Sequence, residues 1–242
     1  MRALLLAAGL GTRLRPLTDT VPKCLVPIHG RPLLGLWFDL LFGSGAVDRA
    51  LINTHWLAPQ VEEFVAASPW RAQVDMVSEP RLLGTGGTVL ANRSWLGDGA
   101  FLVAHADNLT DCDVAGLARC HEARPAGTAI TMLAFRTDAP QSCGILELDG
   151  EHRVRAFHEK VADPPGNLAN AAVYIFEPEV VDLAAGLGRP VVDLSTEVIP
   201  HFLGRILAVE TAGYHRDIGS PEALRLAEAE WRPPMDMAHG VV

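Results

Sequence analysis

The chain has 242 residues, of which 49% are hydrophobic and 20% charged, and its formal net charge is −9. That length and composition suit one domain with one sizeable core, and the acidic balance argues against non-specific binding to nucleic acid. No apolar run approaches the roughly 20 residues of a membrane-spanning helix, which sets membrane insertion aside.

The charge is unevenly spread. Residues 1–31 carry Arg2, Arg13, Arg15, Lys23 and Arg31 against Asp19 alone, a local +4 that leaves −13 on the rest. A cationic spot on an acidic protein fits a small, highly anionic ligand better than a polymer. The apolar run Ala3–Ala8 that follows Arg2 is shorter than the roughly 7–15 residues of a secretion signal, and it leads into Gly-Thr-Arg rather than a cleavage site. The N-terminus therefore reads as mature. Cys24, Cys112, Cys120 and Cys143 form no C-x-x-C pair and the histidines form no H-E-x-x-H. Buried thiols in a reducing cytoplasm are expected, not a disulfide framework or a zinc site.

In chain order, apolar runs at Ala3–Ala7, Ala50–Ile52, Val74–Val77, Phe101–Ala104 and Ala129–Ala134 read as strands buried on both faces. Helical patterns lie between them at Leu33–Phe42, Ala58–Ala67, Gly86–Asn92 and Val114–Ala123. The alternation predicts an α/β fold, a three-layer α/β/α sandwich on a mostly parallel, Rossmann-like mixed sheet, with ligands at the carboxyl ends of its strands. After about residue 140 the rhythm shortens. Strand-like pieces at Gly144–Leu148, Arg153–His158 and Ala172–Phe176 alternate with Pro/Gly-rich connectors, and helices follow at Asp193–Phe202 and Glu222–Trp231. The expected organisation is one domain over residues 1–231, with halves at 1–135 and 136–231, and a loose tail over 232–242.

The first strand feeds Ala7-Ala8-Gly9-Leu10-Gly11-Thr12-Arg13. Small residues let backbone N–H groups approach phosphates closely, as in an anion nest. A dinucleotide fingerprint would need a third glycine at position 14 and an acid ending the second strand. Those positions hold Leu14 and Asn53, and G-x-x-x-x-G-K-[ST] is absent. What remains is G-x-G-T-R-x-x-P followed by Pro22-Lys23, in which Arg13 can fork onto phosphate oxygens and Lys23 adds a point charge.

The stretch LLLAAGLGTRLRPLTDTVPKCLVPIHGRPLL closely resembles the signature of the sugar-1-phosphate nucleotidyltransferases, and the resemblance continues at lower density to about residue 230. It implies the nucleotide-diphospho-sugar transferase type of sheet and an enzyme joining a nucleoside triphosphate to a sugar 1-phosphate. By the same resemblance Ala7, Ala8, Gly9, Gly11, Thr12 and Arg13 hold the nucleotide, with Arg13 and Lys23 catalytic. Leu83-Gly84-Thr85-Gly86-Gly87 matches the segment that lines the base pocket through backbone groups, so Gly84, Thr85 and Gly86 join the nucleotide site. Its form favours GTP, with UTP, TTP and CTP as alternatives, and a mannose- or heptose-type sugar.

Two carboxylates complete the resemblance. Asp107 follows the strand at Phe101, where the family has Gly-Asp and this chain has Ala106. Asp217 lies in Tyr214-His-Arg-Asp-Ile-Gly-Ser-Pro, similar to W-x-D-x-G-T/S-P with Tyr standing for Trp. The family's two aspartates bind Mg²⁺, whose preference for hard oxygen ligands, phosphates and water they suit. For the sugar phosphate the matching residues are Gly144, Glu159, Lys160 and Asn170: the glycine lets the sugar lie on backbone, Glu159 accepts from hydroxyls and Lys160 holds the phosphate. The rival readings are a non-catalytic nucleotide-sugar sensor and a cytidylyltransferase for a non-sugar phosphate. Homo-oligomerisation is left open.

Overall fold

The structure is a computed structural model and describes residues 1–233. The tail expected over 232–242 falls, from residue 234 on, outside the described residues.

The chain begins with β1 (Arg2–Leu6), three 3-10 turns between Thr12 and Leu25, and a short hairpin of β2 (Pro27–Ile28) and β3 (Arg31–Pro32). Next come α1 (Leu33–Gly43), β4 (Arg49–Thr54), α2 (Ala58–Ala67), β5 (Val74–Ser78), α3 (Gly84–Ala91) and α4 (Arg93–Leu96). They are followed by β6 (Phe101–His105), β7 (Asn108–Thr110), α5 (Val114–Glu122), β8 (Ile130–Arg136), β9 (Gly144–Leu148) and β10 (Val154–Glu159). The chain closes with β11 (Leu168–Phe176), α6 (Glu179–Gly186), β12 (Ile206–Glu210), β13 (His215–Asp217) and α7 (Pro221–Glu230).

Nine strands form one sheet in the order β5-β4-β1-β6-β11, with β9-β10 and β8-β12 both joined to β11. Strands β1, β4, β5, β6, β8, β9 and β12 run one way and β10 and β11 the other, so the sheet is mixed and mostly parallel. Alternation along β1 shows why its run is apolar throughout. Leu4 and Leu6 enter the core under α3, α4 and α6, whereas Ala3 and Leu5 enter the core under α1, α2 and α5. Both faces are covered, and the three layers follow.

A third, smaller core fixes the site. Leu14, Val26, Ile28, Leu33, Leu36, Leu109, Ile218, Ala227 and Trp231 cluster between the N-terminal turns and α7. Ser220 caps α7 by accepting from the Ala223 amide at 3.1 Å, with Pro221 at the first helical position. Residues 217–218 are thereby pinned beside Lys23, although almost two hundred residues separate them in sequence.

Some expectations give way. The helix expected over Asp193–Phe202 is a π turn (Leu194–Val198) followed by a 3-10 turn (Ile199–Phe202). Pro200 explains it: proline lacks the amide an α-helix needs and its ring crowds the carbonyl one turn earlier. β11 starts at Leu168 rather than at Ala172, because an irregularity between Asn170 and Tyr174 keeps the strand paired on both sides of a kink. Strands β7, β12 and β13 were not anticipated.

Candidate active site

A cleft of about 990 Å³ opens at the carboxyl ends of β6 and β8. It opens there because β6 stops at His105 while β11 continues past it: Val173–Phe176 pair with β6, and Ala169 pairs with β9 instead. Arg13, Asp107, Asp217, Gly144, Glu159, Lys160 and Asn170 all line it.

Lys23 lies behind the two aspartates rather than on the lining, and Ala7, Ala8, Gly9, Gly11 and Thr12 do not line the cleft either. The Lys23 ammonium is buried, with Nζ donating to Asp107 Oδ2 at 2.6 Å and to Asp217 Oδ1 at 3.0 Å. Burial opposes the charge, but the two carboxylates outweigh it and hold the Lys23 pKa above its ordinary value. Burial likewise opposes the Asp107 carboxylate, and Lys23 with His105 still hold its pKa below the usual range. Arg13 joins from the exposed side, Nη2 donating to Asp217 Oδ2 at 3.2 Å. The two aspartates come together through backbone pairing: β13 lies antiparallel to β7 with Asp217 opposite Asn108, and the Ile218 amide donates to the Asp107 carbonyl at 3.2 Å.

Gly219 is part of this geometry, a role the sequence motif hid. A Cβ there would lie 2.6 Å from both Arg13 Nη2 and Asp217 Oδ2, so glycine makes room for their pair. Ala106 is fully buried, and its amide donates to the Leu6 carbonyl at 3.1 Å, so its methyl points into core rather than cleft. Cys24, next to Lys23, is no nucleophile, because burial pushes its thiol up to about 12.

The loop after β1 carries amides outward. Ala8 is buried, while Gly9 is exposed and a Cβ on it would meet only open space. The amides of Gly9, Gly11, Thr12 and Arg13 donate to no backbone carbonyl among the described residues. Gly11 has φ +63°, and a Cβ there would press on Thr18 Cγ2 at 2.8 Å, so glycine is needed on both counts. Thr18 closes the turn by donating to the Gly11 carbonyl at 2.7 Å.

Gly84, Thr85 and Gly86 do not line this cleft. The Gly86 and Gly87 amides both donate to the Val192 carbonyl, at 2.9 and 3.1 Å. The Thr85 hydroxyl accepts from the Leu194 amide at 2.8 Å. Close packing against residues 190–194 thus engages the Gly86 and Gly87 amides, so any base contact by this segment falls to its other backbone groups.

On the other wall, a Cβ at Gly144 would lie 2.6 Å from both Glu159 Oε2 and the Phe157 ring. The glycine thus makes room for the Glu159 carboxylate first, rather than directly for a ligand. Lys160 Nζ pairs with Glu159 Oε1 at 3.1 Å and is mostly exposed. Asn170 is partly engaged, its Nδ2 donating to the Tyr174 hydroxyl at 2.7 Å and its Oδ1 accepting from the Ala172 amide at 2.9 Å. The latter bond caps the kink, where Ala172 has φ +53°.

The position two before Asp217, tryptophan in W-x-D, is His215 and not Tyr214. The His215 ring packs on Phe135 with centroids 4.4 Å apart and lines the cleft. Burial, with His105 adding, takes its pKa down to about 3, so the ring is neutral. Tyr214 instead donates to Glu230 Oε2 at 2.9 Å, away from the aspartates.

A mostly parallel α/β sheet thus carries a glycine-rich loop after its first strand, and Arg13 of that loop, with Lys23 further on, bonds directly to two carboxylates at the edge of an open cleft. A family model described as "Nucleotidyl transferase" matches residues 2–232, and the chain belongs to that family. It is 34% identical over 225 residues to mannose-1-phosphate guanylyltransferase of Mycobacterium tuberculosis, covering 91% of this chain and 61% of that protein. It is 32% identical over 191 residues to glucose-1-phosphate thymidylyltransferase of Streptomyces griseus, covering 77% of this chain and 52% of that protein. The chain thus spans 61% and 52% of the length of these two curated relatives.

Solved structures share the fold. HddC from Yersinia pseudotuberculosis, complexed with GMP-PN, superimposes with a TM-score of 0.78 at 24% identity, over 96% of this chain and 99% of that one. Apo-UDP-glucose pyrophosphorylase does so with 0.79 at 21% identity, over 94% and 96%.

Proposed function

We propose that the chain transfers a nucleoside monophosphate from a nucleoside triphosphate to a sugar 1-phosphate, releasing pyrophosphate. The observation that carries this is the convergence of Arg13, Asp107 and Asp217, backed by the buried Lys23, at one end of a cleft whose other wall holds Glu159 and Lys160. An oxygen of the sugar phosphate attacks the α-phosphorus in line, the α–β phosphoanhydride bond breaks, and its electron pair leaves with pyrophosphate. The nucleophile is already ionised at neutral pH, so no general base is required. The obstacles are anion–anion repulsion and alignment, which fixed positive charge and positioning overcome.

In this reading the outward amides of residues 9–13 and the Arg13 guanidinium hold the triphosphate, and Lys23 places a buried positive charge beside it. Lys160 holds the incoming phosphate, and Glu159 accepts from sugar hydroxyls. Asp107 and Asp217 fit Mg²⁺: both turn oxygens toward one point, now shared by Lys23 Nζ, and two carboxylates leave coordination places for phosphate oxygens and water. When bound, Mg²⁺ supplies charge neutralisation on the triphosphate.

The L-G-T-G-G segment and the guanylyltransferase relative support GTP with a mannose- or heptose-type sugar. The thymidylyltransferase relative supports TTP with glucose 1-phosphate as the second reading. The four free cysteines suit the reducing cytoplasm. The test is pyrophosphate release with Mg²⁺, each NTP and a panel of sugar 1-phosphates. GTP with mannose or heptose 1-phosphate should react fastest, and EDTA should stop the reaction. No release with any pair would reject the proposal.

A further inference from the structure

Asn53 stands where a dinucleotide fingerprint needs an acid, and nothing in the proposed reaction uses it. Its surroundings give it a task. It is 3% exposed near the end of β4, and its Oδ1 accepts from the Ala7 amide at 2.7 Å, at the root of the glycine-rich loop. Its Nδ2 donates to Glu79 Oε1 at 3.0 Å and to Thr88 Oγ1 at 3.3 Å.

Glu79 is a carboxylate only 4% exposed, with no lysine or arginine paired to it among the described residues. Such a group persists only when its oxygens are saturated with donors. Besides Asn53, the Thr88 hydroxyl reaches Oε1 at 2.5 Å and the Leu83 amide reaches Oε2 at 3.3 Å. Thr88 Oγ1 also lies 3.0 Å from the Gly84 carbonyl. The buried network therefore runs from Ala7 to Gly84 and joins the roots of two loops that no other side-chain bond among the described residues connects.

We propose that Asn53 is a positioning residue for nucleotide binding. Its carboxamide aims the Ala7–Arg13 loop and, through Glu79 and Thr88, ties that loop to the start of α3, so that the loop meets the nucleotide preorganised. Only an amide serves: position 53 must accept from Ala7 and donate to Glu79 at once. Aspartate would set two buried carboxylates side by side, and leucine would leave the Ala7 amide and Glu79 without partners. The inference rests on the nucleotidyl-transfer reading.

The test is calorimetric titration of GTP·Mg²⁺ and TTP·Mg²⁺, without sugar phosphate, into wild type, Asn53→Ala, Thr88→Val and Thr88→Ser, with steady-state kinetics alongside. Asn53→Ala should weaken binding of the preferred NTP about tenfold or more, the effect of one buried hydrogen-bonding partner lost. The KM for the sugar 1-phosphate should stay within about twofold, the size of change that the distant wall of the cleft leaves room for. Thr88→Val should lose in the same direction and Thr88→Ser should recover it. The Asn53→Ala/Thr88→Val double variant should lose less than the two losses combined, since both act through one carboxylate.

Folded Asn53→Ala with wild-type NTP affinity, or an equal loss for both substrates, overturns the inference. If Asn53→Ala does not fold, folded Thr88→Val with unchanged NTP affinity overturns it. Wild type that binds neither nucleotide, with UTP and CTP also silent, rejects the nucleotidyl-transfer reading instead.

Discussion

Removing Asp107 should damage the fold as well as the chemistry, and the structure gives the size of the damage. The Lys23 side chain is 8% exposed and depends on two carboxylates, Asp107 at 2.6 Å and Asp217 at 3.0 Å. At an effective dielectric near 20, a unit pair at that distance attracts by about 6 kcal/mol before desolvation is charged against it. Breaking one partner of a buried pair costs about 3–5 kcal/mol, because the survivor keeps its desolvation penalty. Asp217 remains and water reaches the gap, so the cost falls at or just below that range, about 2–3 kcal/mol for Asp107→Ala, or about 4–12 °C in Tm for a chain this long.

Arg13→Ala is the control. The Arg13 side chain is 69% exposed and its bond to Asp217 is a surface pair, worth about 1 kcal/mol at most, so Tm should stay within about 3 °C. Turnover should still fall about 10²–10³-fold, as when one charge-stabilising donor is lost. Lys23→Met should lose stability as well, because it leaves the buried Asp107 carboxylate beside Asp217 without their shared cation. Differential scanning calorimetry with a pyrophosphate-release assay separates these outcomes. An Asp107→Ala protein or a Lys23→Met protein that melts with wild type would refute the claim that Lys23 is a buried charge held by the two aspartates.

Gly219→Ala should be nearly silent in stability and loud in rate. Its methyl meets mainly the far end of the Arg13 side chain and the Asp217 carboxylate, 2.6 Å away, so both move apart at little cost to the fold; unchanged turnover would count against their pairing. Gly87→Ala should do the reverse, since its Cβ would sit 2.2 Å from the Pro190 carbonyl oxygen. Backbone cannot swing aside, and a loss of about 1–3 kcal/mol by chemical denaturation is expected. The stability gap between wild type and Asp107→Ala should also depend on pH. The Asp107 contribution is present above its ordinary value of 3.8 and fades as acid titrates it through its lower folded value. The Lys23 contribution is present below 10.5 and fades only as base titrates it through its higher folded value. The gap should therefore be widest between about pH 4 and pH 10 and narrow at both ends, as urea midpoints across pH would show.

What was legible in the sequence was what chain-local physics encodes. Runs such as Phe101–Ala104, apolar at every position, can only be strands buried on both faces, and they place the sheet and its functional edge. Pro200 shows the limit of reading periodicity alone, since the apolar spacing over Asp193–Phe202 is helical while the proline inside it is not. β7 and β13 have only three residues each, too few to show a period, and they owe their existence to pairing with each other across the chain.

The site divides along the same line. Charge and glycine spacing mark the N-terminal loop, and each aspartate is visible where an apolar strand or a turn ends. That Lys23 would sit on both carboxylates, and Arg13 on one, is written in no local pattern. It follows from the third core, where Ile218 and Trp231 pack against Leu14 and Val26 and carry Asp217 across the molecule. The same holds for glycines. In sequence Gly9, Gly86 and Gly219 are alike, yet one faces open space, one is wedged against Val192, and one makes room for an ion pair. A glycine motif therefore announces close approach without saying to what, and only packing decides whether the neighbour is solvent, backbone or a charged side chain.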